Sequence, residues 1–217
     1  MSQRFTLHPT HPQPRLVRAA AAIIREGGVI AYPTDSSYAL GCGVREGEAA
    51  RRIRTLRGMD LRHHLTLVCK DLAQVGVYAR MDNWQFLIVR QGTPGSYTFL
   101  LPASREVPRA VQHPRRSTIG VRVPDHPVVR ALLAELGEPI LSSTLILPGS
   151  SDPLNDAVEI QARLDGRIEG IVDAGPCPAE PTTVIDLAQG APALVRQGRG
   201  DLARLGIERI GVEGGEV

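Results

Sequence analysis

The sequence predicts an α/β layered domain, and three observations carry that prediction. Short apolar runs of strand length alternate with segments whose apolar residues recur at helical spacing. Glycine or proline closes most of these segments. A chain of 217 residues is long enough to bury one sizeable core, and no repeat, low-complexity tract or linker divides it.

The elements follow in order. Leu16–Glu26 is Ala-rich and amphipathic and stops at Gly27-Gly28, which reads as a helix with a glycine stop. Val29–Tyr32 is a strand broken at Pro33. Glu46–Arg57 places Ala49, Ala50, Ile53 and Leu56 at helical spacing and turns an Arg-rich face outward. Leu65–Cys69 is a short strand, Asn83–Arg90 a helix ending before Gly92, and Tyr97–Leu101 a strand. Thr118–Val123 is a strand stopped by Pro124, Pro127–Leu136 a helix ending at Gly137, and Ile140–Leu147 a strand. Ala157–Leu164 is a helix capped by Gly166. Ile168–Asp173, Thr183–Leu187 and Ala193–Arg196 complete the strands, and Gly211–Val217 is expected to fray.

Composition excludes several classes. The formal charge is only +2, so the whole molecule is no strong polyanion binder. All but one of the 25 basic side chains are Arg, the exception being Lys70. Arginine suits bidentate contacts to phosphate and carboxylate, and the bias equally fits genome composition. No apolar run is long enough to cross a bilayer, and the polar, Pro-rich start MSQRFTLHPTHPQP is no secretory signal. Cys42, Cys69 and Cys177 show no CxxC spacing, which argues against structural zinc or a disulfide framework and fits a reducing cytoplasm. His63-His64 lacks a third ligand at metal spacing, so no metal site is expected. There is no Ser-His-Asp order or nucleophile elbow.

The stretch Gly27–Gly43, GGVIAYPTDSSYALGCG, ends a buried strand in Thr34, Asp35, Ser36 and Ser37. Hydroxyls and a carboxylate on a tight loop at a strand end build a polar ligand site, although the same residues also form ordinary turns. In TPGSYT, Pro94-Gly95 suits a type II turn. Thr118, Gly120 and Arg122 alternate along a strand and so share one face, which suits either an anionic ligand or a solvated edge. Thr182 and Thr183 stand at the mouth of a strand, where they either hold a phosphate or cap a turn. Arg196 and Arg199 lie between flexible glycines in VRQGRGD, a loop suited to closing over phosphate. The arginines Arg45, Arg51, Arg52, Arg54, Arg57 and Arg62 form either a track for a nucleic-acid backbone or a solvated helix face.

Five of these segments, in order, resemble the YrdC/YciO family: GGVIAYPTDSSYALGCG, TPGSYTFLL, TIGVRVPDHP, PTTVIDL and VRQGRGD. They span nearly the whole chain, from about Arg15 to Asp201. DNWQFLIVRQGTPGSYTFLL and LSSTLILPG resemble the YciO branch more than the catalytic YrdC branch. The resemblance implies one domain, a twisted mixed sheet flanked by helices, and a large concave basic cavity. It implies synthesis of threonylcarbamoyl-adenylate from L-threonine, bicarbonate and ATP, with Mg2+ accompanying the nucleotide, for a tRNA modification in the cytoplasm. The alternative it carries is a non-catalytic protein binding tRNA or double-stranded RNA, for which Arg51, Arg54 and Arg62 are the candidates. Threonine would lie against Thr34 or Ser36, Arg122 and Thr182, and the nucleotide against Arg57, Thr118, Thr144 and Arg196. Arg57, Arg122 and Thr144 would carry the catalysis. Two departures bear on activity. The family's KxR tripeptide reads Arg57-Gly58-Met59, losing its second cation. Its SxN motif reads Thr144 and Ile146, losing a polar contact.

Overall fold

A computed structural model of the chain describes residues 1–60, 63, 65–113 and 115–207. It contains a ten-stranded mixed sheet in the order β1-β8-β2-β3-β7-β4-β6-β5-β9-β10. The strands are β1 (Gln3–Thr6), β2 (Ile30–Pro33), β3 (Tyr38–Gly43), β4 (Thr66–Val68), β5 (Tyr97–Pro102), β6 (Thr118–Arg122), β7 (Ile140–Thr144), β8 (Gly170–Asp173), β9 (Thr183–Asp186) and β10 (Ala193–Arg196). The helices are α1 (Pro14–Arg25), α2 (Gly47–Arg57), α3 (Leu72–Tyr78), α4 (Asn83–Gly92), α5 (Pro127–Leu136) and α6 (Ala157–Leu164). No helix of the described residues is long and apolar enough to cross a membrane.

Every element expected from the sequence is present, with ends shifted by a few residues. Three more were hidden. β1 pairs in parallel with β8 in the polar N-terminal stretch, so the sheet begins well before Arg15. Only Phe5 of that strand is buried, so it shows no strand alternation. β3 is the hairpin partner of β2, disguised by two glycines in YALGCG. α3 has only seven residues, including Gly76, and is capped by Asp71, whose side chain accepts from the Gln74 amide at 2.8 Å. The type II turn at Pro94-Gly95 is absent: Thr93–Pro94 is cis, and Gly95 lacks the positive φ that such a turn needs. The expected fraying of Gly211–Val217 lies outside the described residues.

Two apolar clusters lie on the two faces of the sheet. The larger joins Leu40, Leu67, Phe99, Ile119, Val121 and Leu141 to α2 and α6 through Ile53 and Ile160. The smaller joins Phe5, Ile30, Tyr32, Ile140 and Val172 to α1 and α5. Its only residue beyond β7 is Val68 of β4; none comes from β6, β5, β9 or β10. On those strands the same face instead carries Thr98, Gly120 and Arg122, which are buried, and this helix-free polar face positions the candidate site. The apolar pattern thus decides where helices dock and where they do not.

β2, β3 and β7 pack at the limit of their backbone separation. A Cβ on Gly41 would stand 2.6 Å from both the Ile140 side chain and the Tyr32 ring. Gly41→Ala is therefore expected to lower stability by about 1–3 kcal/mol. Gly47, at the start of α2, faces open space, so Gly47→Ala should be neutral or slightly stabilising. Urea unfolding midpoints check this pair, and equal shifts in the two variants would contradict the packing argument.

Candidate functional site

The β2–β3 hairpin ends in the loop Thr34–Ser37, and the Thr34 hydroxyl organises it. That hydroxyl donates to the Ser37 carbonyl at 2.7 Å and accepts from the Ser36 and Ser37 amides, both at 3.2 Å. Its remaining neighbour is Ser36 Oγ at 3.1 Å. Thr34 is thus committed to shaping the loop. Of the two hydroxyls proposed for a substrate, Ser36 is the one whose only side-chain partner is Thr34.

The loop's carboxylate brings three distant segments together. Asp35 forms an ion pair with Arg122 at the end of β6, with the two side chains 13% and 8% exposed. Its other oxygen accepts from Ser96 Oγ at 2.9 Å, at the entry to β5. β6 lies between β4 and β5, so the solvated-edge reading of Arg122 is wrong. Nor is Arg122 an open clamp: Nη2 is engaged by Asp35, while Nε is buried without a partner. Beside the pair stand His126, whose buried Nδ1 also lacks a partner, and Cys177. Burial lowers the His126 pKa, Asp35 opposes that shift, and Arg122 adds to it. Burial pushes the Cys177 thiol up to about 11, so it is no thiolate nucleophile at neutral pH. Next to them, Tyr32 donates to Ser142 Oγ at 2.7 Å, and burial raises its pKa to about 12.

A second cluster gathers hydroxyls and two arginines. Arg196 Nη2 donates to the Thr182 carbonyl at 3.1 Å and approaches its Oγ1 at 3.5 Å. Thr182 Oγ1 and Thr98 Oγ1 are 2.9 Å apart. Arg57 donates through Nε to Ser143 Oγ at 3.1 Å and through Nη1 to the Ile146 carbonyl. Burial lowers the pKa of both arginines, and the Arg196 charge adds to the shift of Arg57. Neither arginine makes an ion pair among the described residues. Two desolvated, mutually repelling cations whose hydrogen-bond partners among the described residues are all neutral make a candidate anion site.

The degenerate motif positions lie here. Ser143 Oγ also contacts Met59 Sδ at 3.4 Å, so the thioether stands beside Arg57 where the family has its second cation. Ile146 is only half-buried, whereas Leu145 and Leu147 on either side belong to the core. Its side chain is therefore not core packing. Thr144 is half-buried at the end of β7, and its hydroxyl has no partner among the described residues. Thr118 is buried at the opposite end of β6 from Arg122, about 13 Å along the strand.

Thr183 accepts from the Gly198 amide at 3.0 Å and donates to the Gly200 carbonyl at 2.7 Å, so it ties down the glycine loop. That loop is packed rather than flexible. A Cβ on Gly198 would fall 2.2 Å from the Pro181 carbonyl, and one on Gly200 would fall 2.4 Å from the Tyr97 ring. Arg199 points away to Glu180 at 3.8 Å.

The outward arginine face of α2 also needs correction. Arg54 is 6% exposed, because its side chain turns inward toward Cys42. It cannot reach a phosphate backbone. Arg51 is exposed and paired with Glu48, Arg52 pairs with Glu169, and Arg62 lies outside the described residues. His63 contacts Asp60 at 3.1 Å, and His64 lies outside the described residues. Among the described residues no group of three His, Cys, Asp or Glu side chains is placed to hold a metal.

A mixed sheet with one helix-free polar face, an ion-paired hairpin loop and two arginines without an ion pair among the described residues defines an α/β domain with a candidate anion site. The chain belongs to the Sua5/YciO/YrdC family, described under the heading telomere recombination, whose pattern matches residues 22–198. It is 46% identical to the uncharacterized protein YciO of Escherichia coli over 93% of this chain and 98% of that protein. The crystal structure of E. coli YciO superposes with a TM-score of 0.92, covering 94% of this chain and 100% of that one. A threonylcarbamoyl-AMP synthase from Halorhodospira halophila is 35% identical over 76% of this chain and 85% of its own length. Pyrococcus abyssi Sua5 complexed with L-threonine is 28% identical, with a TM-score of 0.80, over 91% of this chain and 57% of that one. The chain is thus a YciO-like protein related to the threonylcarbamoyl-AMP synthases.

The sequence motifs contained Ser96 and His126 but assigned them no role, Asp35 entered only as the carboxylate of a polar ligand loop, and Thr98 and Ser143 drew no notice as site residues. Only Asp35 carried a signal, as the one carboxylate among the loop hydroxyls. Its environment makes Thr34 a structural residue. Thr34→Val, which strands the Ser36 and Ser37 amides while the Ser37 carbonyl keeps the Thr34 amide at 3.1 Å, should cost about 2 kcal/mol of stability. Thr34→Ser, which keeps the hydroxyl, should cost less than about 1 kcal/mol. Equal losses in thermal or urea melts would show that the methyl, not the hydroxyl, holds the loop.

Proposed function

We propose that the protein is a YciO-branch threonylcarbamoyl-AMP synthase of reduced efficiency. It would join L-threonine, bicarbonate and ATP into threonylcarbamoyl-AMP and release pyrophosphate and water. The observation that carries this reading is the pair Arg57 and Arg196, two desolvated cations without acidic partners among the described residues, with the Thr98–Thr182 hydroxyl pair beside Arg196. Relatedness to threonylcarbamoyl-AMP synthases, one of them solved with L-threonine, supports the substrate class.

The chemistry divides between the two clusters. The amino group of threonine first displaces water from bicarbonate to give a carbamate. A carbamate oxygen then attacks the α-phosphorus of ATP, and the bond to pyrophosphate breaks. Negative charge accumulates on the α-phosphate and on the leaving group, where Arg57 and Arg196 would stabilise it. Ser143 and the Thr182 carbonyl hold these guanidinium groups in place before the nucleotide arrives, so little reorganisation is needed at the moment of reaction. Arg122, Ser36 and Thr182 would orient the amino acid, and Thr118 and Thr144 the nucleotide, in a concave basic cavity on the helix-free face. Mg2+ would arrive with the triphosphate and offset part of its charge. An RNA track along α2 has less to offer, because Arg54 is buried and Arg51 and Arg52 are already paired.

Met59 and Ile146 limit the rate in this reading, through one missing cation and one missing polar contact. Incubation with ATP, L-threonine and bicarbonate is expected to give threonylcarbamoyl-AMP by mass spectrometry. Arg57→Ala or Arg196→Ala should lower its formation about 100-fold. The double change Met59→Arg, Ile146→Asn should raise it about tenfold. No adenylate above a protein-free control, from either the wild type or the double variant, would sink the proposal.

A further inference from the structure

A cavity of about 970 Å³ opens where β5 ends and β6 begins, at the opposite end of these strands from Ser96 and Arg122. Arg80, Arg105 and Arg109 line it, and no Asp or Glu does so among the described residues. All three arginines are exposed, and none of their guanidinium groups makes an ion pair or a hydrogen bond among the described residues. No residue of the candidate site described above lines this cavity.

Three chain segments bring the arginines together. After α3, Ala79 bridges to Ala103. The Arg80 amide donates to the Pro102 carbonyl and the Ser104 amide to the Tyr78 carbonyl, both at 2.9 Å. This short antiparallel pairing sets Arg80 beside the segment that carries Arg105. Ser104 Oγ donates to the Val77 carbonyl at 2.7 Å and accepts from the Glu106 amide at 3.1 Å, which holds the turn around Arg105. Arg109 opens a single 3-10 turn (Arg109–Val111), and Val107 and Val111 anchor that segment in the larger apolar cluster. Ser117 closes another side of the cavity, its amide donating to the His113 carbonyl at 3.1 Å and its carbonyl accepting from the Ala103 amide at 2.9 Å. Its φ is 49°, a left-handed backbone that residues with side chains seldom adopt and that persists where the surroundings dictate it. The backbone under the arginines is thus fixed, while their charges are uncommitted.

We infer that this cavity is a second anion site, built for a small ligand that carries phosphoryl groups. Three guanidinium groups around one cavity repel each other, and a bound anion relieves that repulsion. Guanidinium only donates hydrogen bonds, so the ligand must present acceptors. A phosphoryl group carries about 1.5–2 negative charges at neutral pH, so two of them balance three arginines. The arginine fork also matches pairs of phosphate oxygens. The cavity has the size of a small-molecule site. Two features turn it away from nucleic acid. No Phe, Tyr or Trp lines it among the described residues, so it has no aromatic platform for unpaired bases. Three arginines in one cavity also make a short track for a duplex backbone, and nearby Arg45 already faces Glu106 at 3.9 Å.

The site is independent of the proposed function, and its test reads the two separately. The full chain is titrated with tripolyphosphate, pyrophosphate, inorganic phosphate, citrate and a duplex RNA, and the backbone amides of Arg80, Ser104 and Ser117 are followed by NMR. These amides should shift and saturate with tripolyphosphate, and inorganic phosphate should bind about tenfold more weakly or less. The double change Arg105→Gln, Arg109→Gln should weaken tripolyphosphate binding about tenfold without changing the melting temperature, because neither side chain has a partner to lose. The same shifts should persist in a folded Arg57→Ala or Arg196→Ala variant, where the first anion site is impaired. Shifts in a chain that makes no threonylcarbamoyl-AMP would keep this site and remove the proposed function. Shifts that vanish in both folded single variants, that stay unchanged in the double variant, or that do not saturate below about 10 mM would overturn the site. Citrate binding as tight as that of tripolyphosphate would overturn the phosphoryl assignment, and saturation by duplex RNA alone would overturn the small-ligand one.

Discussion

The Asp35–Arg122 ion pair is the contact on which the site's architecture depends. Asp35 belongs to the hairpin of β2 and β3, and Arg122 belongs to β6. β7 and β4 lie between them. On a flat sheet β3 and β6 would be about 14 Å apart, too far for a direct ion pair. Accumulated strand twist, roughly 60–75° over three strand steps, brings the hairpin tip within reach of Arg122. The ion pair fastens the tip there, and Ser96 adds a second tie to β5.

Two ways of handling charge then divide the candidate site. Around Arg122 the cation is neutralised in advance by Asp35. Burial of the pair is tolerable because each partner offsets the desolvation of the other. Around Arg57 and Arg196 no carboxylate does the same. These side chains keep their charge against burial through carbonyl and hydroxyl partners, which leaves them ready for an anion. In the proposed function the first region takes the small zwitterion and the second the ligand of high negative charge. Met59 and Ile146 lie in the second region, so divergence from the synthases is concentrated where polyphosphate charge would be met.

The sequence made the elements legible because helices and strands leave local periodicities. Ile53 and Leu56 mark α2, and the apolar run of β6 is unmistakable. β3 escaped because Gly41 is dictated by close packing of Ile140 and Tyr32, and Gly43 by that of Glu46, which no local pattern shows. β1 escaped because an edge strand buried on one residue has no alternation. The site was legible as a set of segments but not as contacts. Ser36, Arg122, Thr182 and Arg196 stand where strand ends converge. The commitment of Thr34 to its own loop, the inward turn of Arg54 and the pairing of Asp35 across the sheet depend on twist and packing. Those are properties of the whole sheet, and residues separated by some 87 positions reveal them only in three dimensions.

The most direct measurement is a double-mutant cycle on Asp35 and Arg122, using Asp35→Asn, Arg122→Gln and the double variant in urea unfolding. Each single change breaks a buried pair, while the double change removes both charges. A coupling energy of about 2 kcal/mol or more is expected. Additive single effects, with a coupling near zero, would mean that other contacts hold the hairpin over the face.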